Sequence, residues 1–145
     1  MSDQEEYASL ADNISQVDVL EGQGHGMTHK CTDNDGQSWY ETCTRWDDGR
    51  AFAFKVDTKA ADYPYPICTL TGEWSLIPAP NHTQIAMTFN ITAKSGLLNR
   101  LLLTIMVALF INVCDRLLNN WVVLMENNVA PSPPQANSEL LPRII

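Results

Sequence analysis

Few side chains in this sequence are equipped for chemistry, and their spacing limits what they can do together. His25 and His29 stand four apart. On one helical face they could share a metal ion, but on an extended strand they lie about 13 Å apart, too far for a common ligand sphere. The cysteines Cys31, Cys43, Cys68 and Cys114 show no CxxC or other metal-ligand spacing, so no metal and no cofactor is predicted and the thiols read as reduced. Serine hydrolysis lacks its GxSxG elbow, and no local signature pairs Cys31 or Cys43 with a histidine as a nucleophile. Gly22, Gly24 and Gly26 have the glycine density of a phosphate loop but open no helix, and phosphate cradles depend on a helix N-terminus. They read instead as glycines that let a strand bend. Glu41 remains, an acid set among the aromatic and β-branched residues of Ser38 to Trp46.

What Glu41 can do depends on the elements that hold it. Asp33-Asn34-Asp35-Gly36, Asp47-Asp48-Gly49, Tyr63-Pro64-Tyr65-Pro66 and Pro78-Ala79-Pro80-Asn81 punctuate short runs rich in β-branched and aromatic residues, the pattern of an antiparallel sheet. Strands are expected over 27–32, 38–46, 50–57, 70–77 and 83–92, after a first alternating run from Ile14 to Leu20. If Asp48-Gly49 makes a two-residue turn, Asp47 pairs with Arg50, Arg45 faces Phe52, Cys43 faces Phe54 and Glu41 faces Val56. One face then carries Trp39, Glu41, Cys43, Phe52, Phe54 and Val56. The other carries Tyr40, Thr42, Thr44, Ala53, Lys55 and Asp57 and is more polar, so the first face is the concave one. An even loop at Asp33 to Gly36 adds Thr28 and Lys30 to it, with Lys30 beside Glu41. An acid there is either a polar anchor or proton donor and acceptor for a ligand, or half of an ion pair with Lys30 or Arg45.

Ser95, as an N-cap, and Gly96 open a helix expected over 97–127. Its stretch Leu101 to Cys114 has no charge. Fourteen residues span about 21 Å, short of the roughly 30 Å hydrocarbon core, and lengthening the stretch puts Asp115 and Arg116 inside the bilayer, so no membrane span is predicted. A helix apolar nearly all round is expected to be covered on both faces. Sheet first and long helix last gives an α+β helix-grip, a curved antiparallel sheet wrapped around the C-terminal helix. Such a sheet leaves an apolar cavity. The residues assigned to it are the hairpin face above, Trp74, Met87 and Phe89 from later strands, and Leu102, Met106 and Phe110 from the helix.

Of the 17 acids, six fall within the first 23 residues, where there is no Lys or Arg, marking 1–13 as an acidic segment with helix as its candidate form. The domain proper is 14–127, and the proline-rich stretch that follows makes 128–145 a disordered tail. A net charge of −8 provides no positive field for a phosphate backbone, which argues against nucleic acid. The N-terminus has neither the basic nor the apolar region of a signal peptide, and a cytoplasmic location is expected.

Val19-Leu-Glu-Gly-Gln-Gly-His-Gly-Met-Thr, Gly36-Gln-Ser-Trp-Tyr-Glu-Thr, Trp46-Asp-Asp-Gly-Arg-Ala-Phe, Leu70-Thr-Gly-Glu-Trp-Ser-Leu-Ile-Pro and the closing helix together resemble the START-like helix-grip superfamily (SRPBCC), which includes polyketide cyclases and lipid-transport proteins. The resemblance covers about Tyr7 to Asn127. It implies a seven-stranded antiparallel sheet gripping the helix, with a deep cavity that binds or transports a lipid, polyketide or other hydrophobic small molecule. Some members are aromatase/cyclases, a role in which Glu41 would move protons on a poly-β-keto chain. The family's opening strand and short helix have no counterpart, because six residues precede Tyr7. Either the sheet is incomplete or coding sequence lies upstream. An incomplete sheet would leave an open edge and apolar helix surface, so a homodimer through either, or an interaction role for the helix, is the further expectation.

Overall fold

The computed structural model describes residues 10–128 and 141–144. Most of the acidic segment 1–13 and most of the tail 128–145 lie outside them. The described chain runs β1 (Ile14–Glu21), β2 (Thr28–Asp33), β3 (Ser38–Asp47), β4 (Ala51–Val56), β5 (Ile67–Pro78), β6 (Thr83–Ala93), α1 (Leu97–Asn128) and β7 (Leu141–Ile144). Strands β1 to β6 pair in sequence order as a curved antiparallel meander. β7 adds in parallel to β6, along Ala86 to Phe89. This is the α+β arrangement expected, one curved sheet and one long C-terminal helix.

Two hairpins depart from the expected register, each for a reason of loop length. At β3–β4 the loop holds three residues, so Asp47 pairs with Ala51, Trp46 with Phe52 and Arg45 with Ala53, one step away from Arg45 facing Phe52. A register shift between Cys43 and Arg45 cancels the extra residue, and Cys43↔Phe54 and Glu41↔Val56 pair as expected. A bulge thus keeps Glu41, Cys43 and Trp46 on the inward face despite their uneven spacing. At β2–β3 the loop is odd, not even, with Asp33 N–H bonded to the Gln37 carbonyl. The shift turns Lys30 opposite Tyr40 and brings His29 opposite Glu41 and Cys31 opposite Trp39. A one-residue slip exchanges the two faces of a strand. Gly22, Gly24 and Gly26 all have positive φ and form the turn between β1 and β2; they do not bend a strand.

The core lies between the concave face and the C-terminal half of α1, where Cys114, Leu117, Leu118 and Trp121 are buried against it, together with Phe52, Trp74 and Met87. Asp115, Arg116 and Asn119 take the outer side. Arg116 pairs with Asp12 at 2.6 Å, which ties the helix to the chain before β1. The N-terminal half is different. By length and composition α1 could cross a membrane, and only 6% of its most apolar window is buried. Leu97, Leu98, Leu101, Leu102, Ile105 and Leu109 are exposed, so the expectation of a helix covered on both faces fails: a single sheet covers only one side. Gly96, with φ +111°, occupies the cap position expected for Ser95, and its carbonyl accepts from the Arg100 amide at 3.2 Å.

Candidate functional site: a cavity with a buried carboxylate

A cavity of about 320 Å³ lies between the concave face and the N-terminal half of α1. From the helix it is lined by Leu103, Met106, Val107, Phe110, Val113 and Leu117, with Leu109, which is 65% exposed, at its open side. These positions repeat at three and four residues, one stripe of an α-helix. From the sheet come Trp39, Glu41, Phe54, Leu70, Phe89 and Ile91, and the β4–β5 connection adds Tyr63 and Tyr65. Of the residues assigned to a cavity from sequence, Trp39, Glu41, Phe54, Phe89, Met106 and Phe110 stand in this wall. Cys43, Phe52, Val56, Trp74 and Met87 are buried in the core outside its lining, and Leu102 faces outward. Tyr63, Tyr65 and Leu103 were not anticipated. The two tyrosines sit in a proline-punctuated loop, where no strand period predicts which side chains turn inward.

Glu41 is 8% exposed and held at both oxygens. The Trp39 indole N–H donates to Oε1 at 2.6 Å, and His29 Nε2 lies 3.0 Å from Oε2. Neither Lys30 nor Arg45 is its partner: Arg45 points outward to Glu73 at 2.7 Å and Asp47 at 3.6 Å. His29 Nδ1 is buried with no partner among the described residues. An N–H at Nδ1 would be buried unpaired, at the desolvation cost of that group, so the geometry favours the tautomer with its proton on Nε2, donating to Glu41 Oε2. Behind Glu41 lies Cys31, and donor atoms of His29, Cys31 and Glu41 all fall within 4.8 Å of one another. Imidazole, thiol and carboxylate form a donor set suited to a zinc-class ion. Spacing along the chain could not show this set, because it is assembled across two strands; the prediction of no metal rested on the His25–His29 separation and on the spacing of the cysteines.

The aromatic wall is organised in two groups. Trp39 meets Tyr65 edge to face with centroids 6.0 Å apart, and Tyr63 meets Tyr65 at 5.6 Å and 76°. Tyr65 donates to Asp33 Oδ2 at 2.6 Å, and the other oxygen of Asp33 accepts the Asp35 and Gln37 amides, so the β2–β3 turn fixes that ring. Phe89 forms a second group, edge-on to Phe110 at 4.9 Å and to Phe54 at 6.3 Å. Burial, and then the negative charge of Glu41, push the Tyr63 phenol up to about 12. Burial also raises the thiols of Cys31, Cys43 and Cys114. Cys68 is free and exposed. A disulfide reagent added to the folded protein should therefore react rapidly with one thiol per chain, and with all four only in denaturant. Fast reaction of two or more thiols would mean that the interior is open.

No family model matches the sequence. No curated protein matches it either. Among solved structures, an uncharacterized protein of Bacillus thuringiensis superposes with a TM-score of 0.58 at 9% identity, over 82% of this chain and 83% of that one. At that identity the likeness shows the fold alone: a six-stranded antiparallel sheet followed by one C-terminal helix, compatible with a helix-grip.

Proposed function

We propose that this protein binds a hydrophobic small molecule, lipid-like or polyketide-like, in the cavity between the sheet and α1. The observation that carries this reading is the cavity itself, about 320 Å³, walled by aliphatic and aromatic side chains around a single carboxylate. Its size falls at the lower end of the roughly 300–1,000 Å³ usual for small-molecule sites, and the few polar groups in an apolar wall are what such sites use for orientation. The order of sheet and helix, and the resemblance of its motifs to those of the START-like superfamily, support the same reading. We take α1 as the wall of the cavity and not as a bilayer span, because its C-terminal half packs on the sheet and Arg116 pairs with Asp12.

A neutral fluorescent probe such as N-phenyl-1-naphthylamine is expected to bind at one per chain. Met106→Trp, which adds bulk from the helix side, is expected to weaken it at least tenfold while the helix and sheet signals in circular dichroism stay unchanged. Absence of saturable binding would overturn the carrier reading. The enzyme alternative, an aromatase/cyclase, draws on the Glu41–His29 pair as a proton acceptor and donor beside the cavity; it requires that a bound poly-β-keto compound be released changed.

The exposed apolar half of α1 favours a second reading, in which that face docks a partner, a second copy of the chain being the simplest. Sedimentation velocity between 1 and 100 µM is expected to show a concentration-dependent dimer, abolished by Leu101→Glu with Ile105→Glu. A wild-type chain that stays monomeric throughout would remove this reading.

A further inference from the structure

We propose that the molecule held in this cavity is an amphiphile with a cationic head, an ammonium group seated among Glu41, Trp39, Tyr63 and Tyr65, and an apolar body lying against Phe54, Phe89 and Phe110. The inference rests on the binding role above and names the class of ligand. Charge gives the first reason. Glu41 is the one ionisable carboxylate in the wall, and no lysine, arginine or histidine lines the cavity among the described residues. His29 and Trp39 occupy one acceptor position on each oxygen, and the Cys31 thiol bonds to the same carboxylate. A carboxylate has about four such positions, so Glu41 keeps capacity for a donor arriving from the cavity. A carboxylate in an apolar wall that no cationic side chain lines attracts an ammonium head and opposes a carboxylate head at short range in a medium of low dielectric.

Ring geometry gives the second reason, independent of the charge. Trp39 and Tyr63 both stand edge-on to Tyr65, at 69° and 76°. Trp39, Tyr63 and Tyr65 all line the same cavity as Glu41, and an aromatic cage recognises ammonium ions through the ring quadrupole. The surroundings have one opposing charge, Lys94, whose Nζ lies 5.7 Å from the Tyr63 ring centroid. Lys94 is exposed and outside the lining, so it is solvated, whereas Glu41 is not. It also shows that a ring of this cage already accepts a cation on one face. Asp33, bonded to the Tyr65 hydroxyl, and Asp35, whose charge also acts on Tyr65, add to the negative sign.

The test displaces the neutral probe with three ligands of one chain length, decylamine, decanol and decanoic acid, at pH 7.5 and below their micellar concentrations. Decylamine is expected to compete at least tenfold better than decanoate, with decanol between them. In Glu41→Gln the ratio of amine to acid should fall below threefold, each competitor being read against the probe's own affinity for that variant. Tyr63→Leu, which removes a ring that makes no hydrogen bond, should weaken decylamine more than decanol. If the probe binds and decanoate competes as well as decylamine in the wild-type protein, the cationic head is refuted and the binding role stands. If the probe does not bind, both fail together. The wild-type comparison needs no variant to fold.

Discussion

Replacing Gly72 by alanine is expected to destabilise the protein by about 1–3 kcal/mol, the usual range for overpacking a filled interior, and to weaken probe binding with it. Alanine in a strand is ordinarily the better residue by roughly 0.5–1 kcal/mol, so the prediction reverses the generic sign. The reason is a row across three strands, in which Phe54, Gly72 and Phe89 pair side by side. The two rings close over the glycine, and a Cβ there would lie 2.5 Å from Phe54 Cζ and 3.0 Å from Phe89 Cε1. Phe54 cannot slide along the sheet, because it stacks on Phe52 with centroids 5.7 Å apart. The ring must tip toward the cavity, which reduces the space for a ligand. Urea unfolding and probe titration of the same variant check both halves. A variant of unchanged or higher stability would show that the rings repack freely.

Leu118→Ala carries the largest expected loss, about 2–5 kcal/mol, as for other fully buried leucines. Leu118 is 0% exposed and sits among the residues that fasten α1 to the sheet. Against a total stability of roughly 5–15 kcal/mol for a domain, this removes a large share of the margin. The control is on the same helix: Leu101 is 59% exposed, and Leu101→Ala should change stability by no more than about 0.5 kcal/mol. Equal losses at the two positions in thermal or urea unfolding would mean that the outer face of the helix is covered in solution.

Much of the sheet could be read from sequence because turn residues interrupt alternating runs, and the strand over Thr83–Ala93 alternates without a break. Registers were harder. Whether a hairpin loop holds two residues or three is decided by turn chemistry and strand twist, yet it exchanges the faces of a strand. That is why Lys30 stood in for His29 beside Glu41, while the bulge between Cys43 and Arg45 concealed the same kind of slip on the other hairpin. The helix phase could have been recovered. Asp115, Arg116 and Asn119 mark the outer side, and counting back from Cys114 in steps of three and four gives Phe110, Val107 and Leu103, leaving Leu102 out. Tyr63 and Tyr65 carried no such signal.

From Leu97 to Val113 no side chain of α1 is fully buried, whereas Cys114, Leu117, Leu118 and Trp121 all are. One continuous helix therefore contains two local stabilities. Its C-terminal half can lose its backbone hydrogen bonds only when the sheet lets go, so its amides exchange with solvent through global unfolding. Its N-terminal half forms one wall of the cavity and can fray, turn by turn, without disturbing the sheet. On the binding role proposed above, a ligand beneath that half would enter and leave by local helix opening, without the protein unfolding.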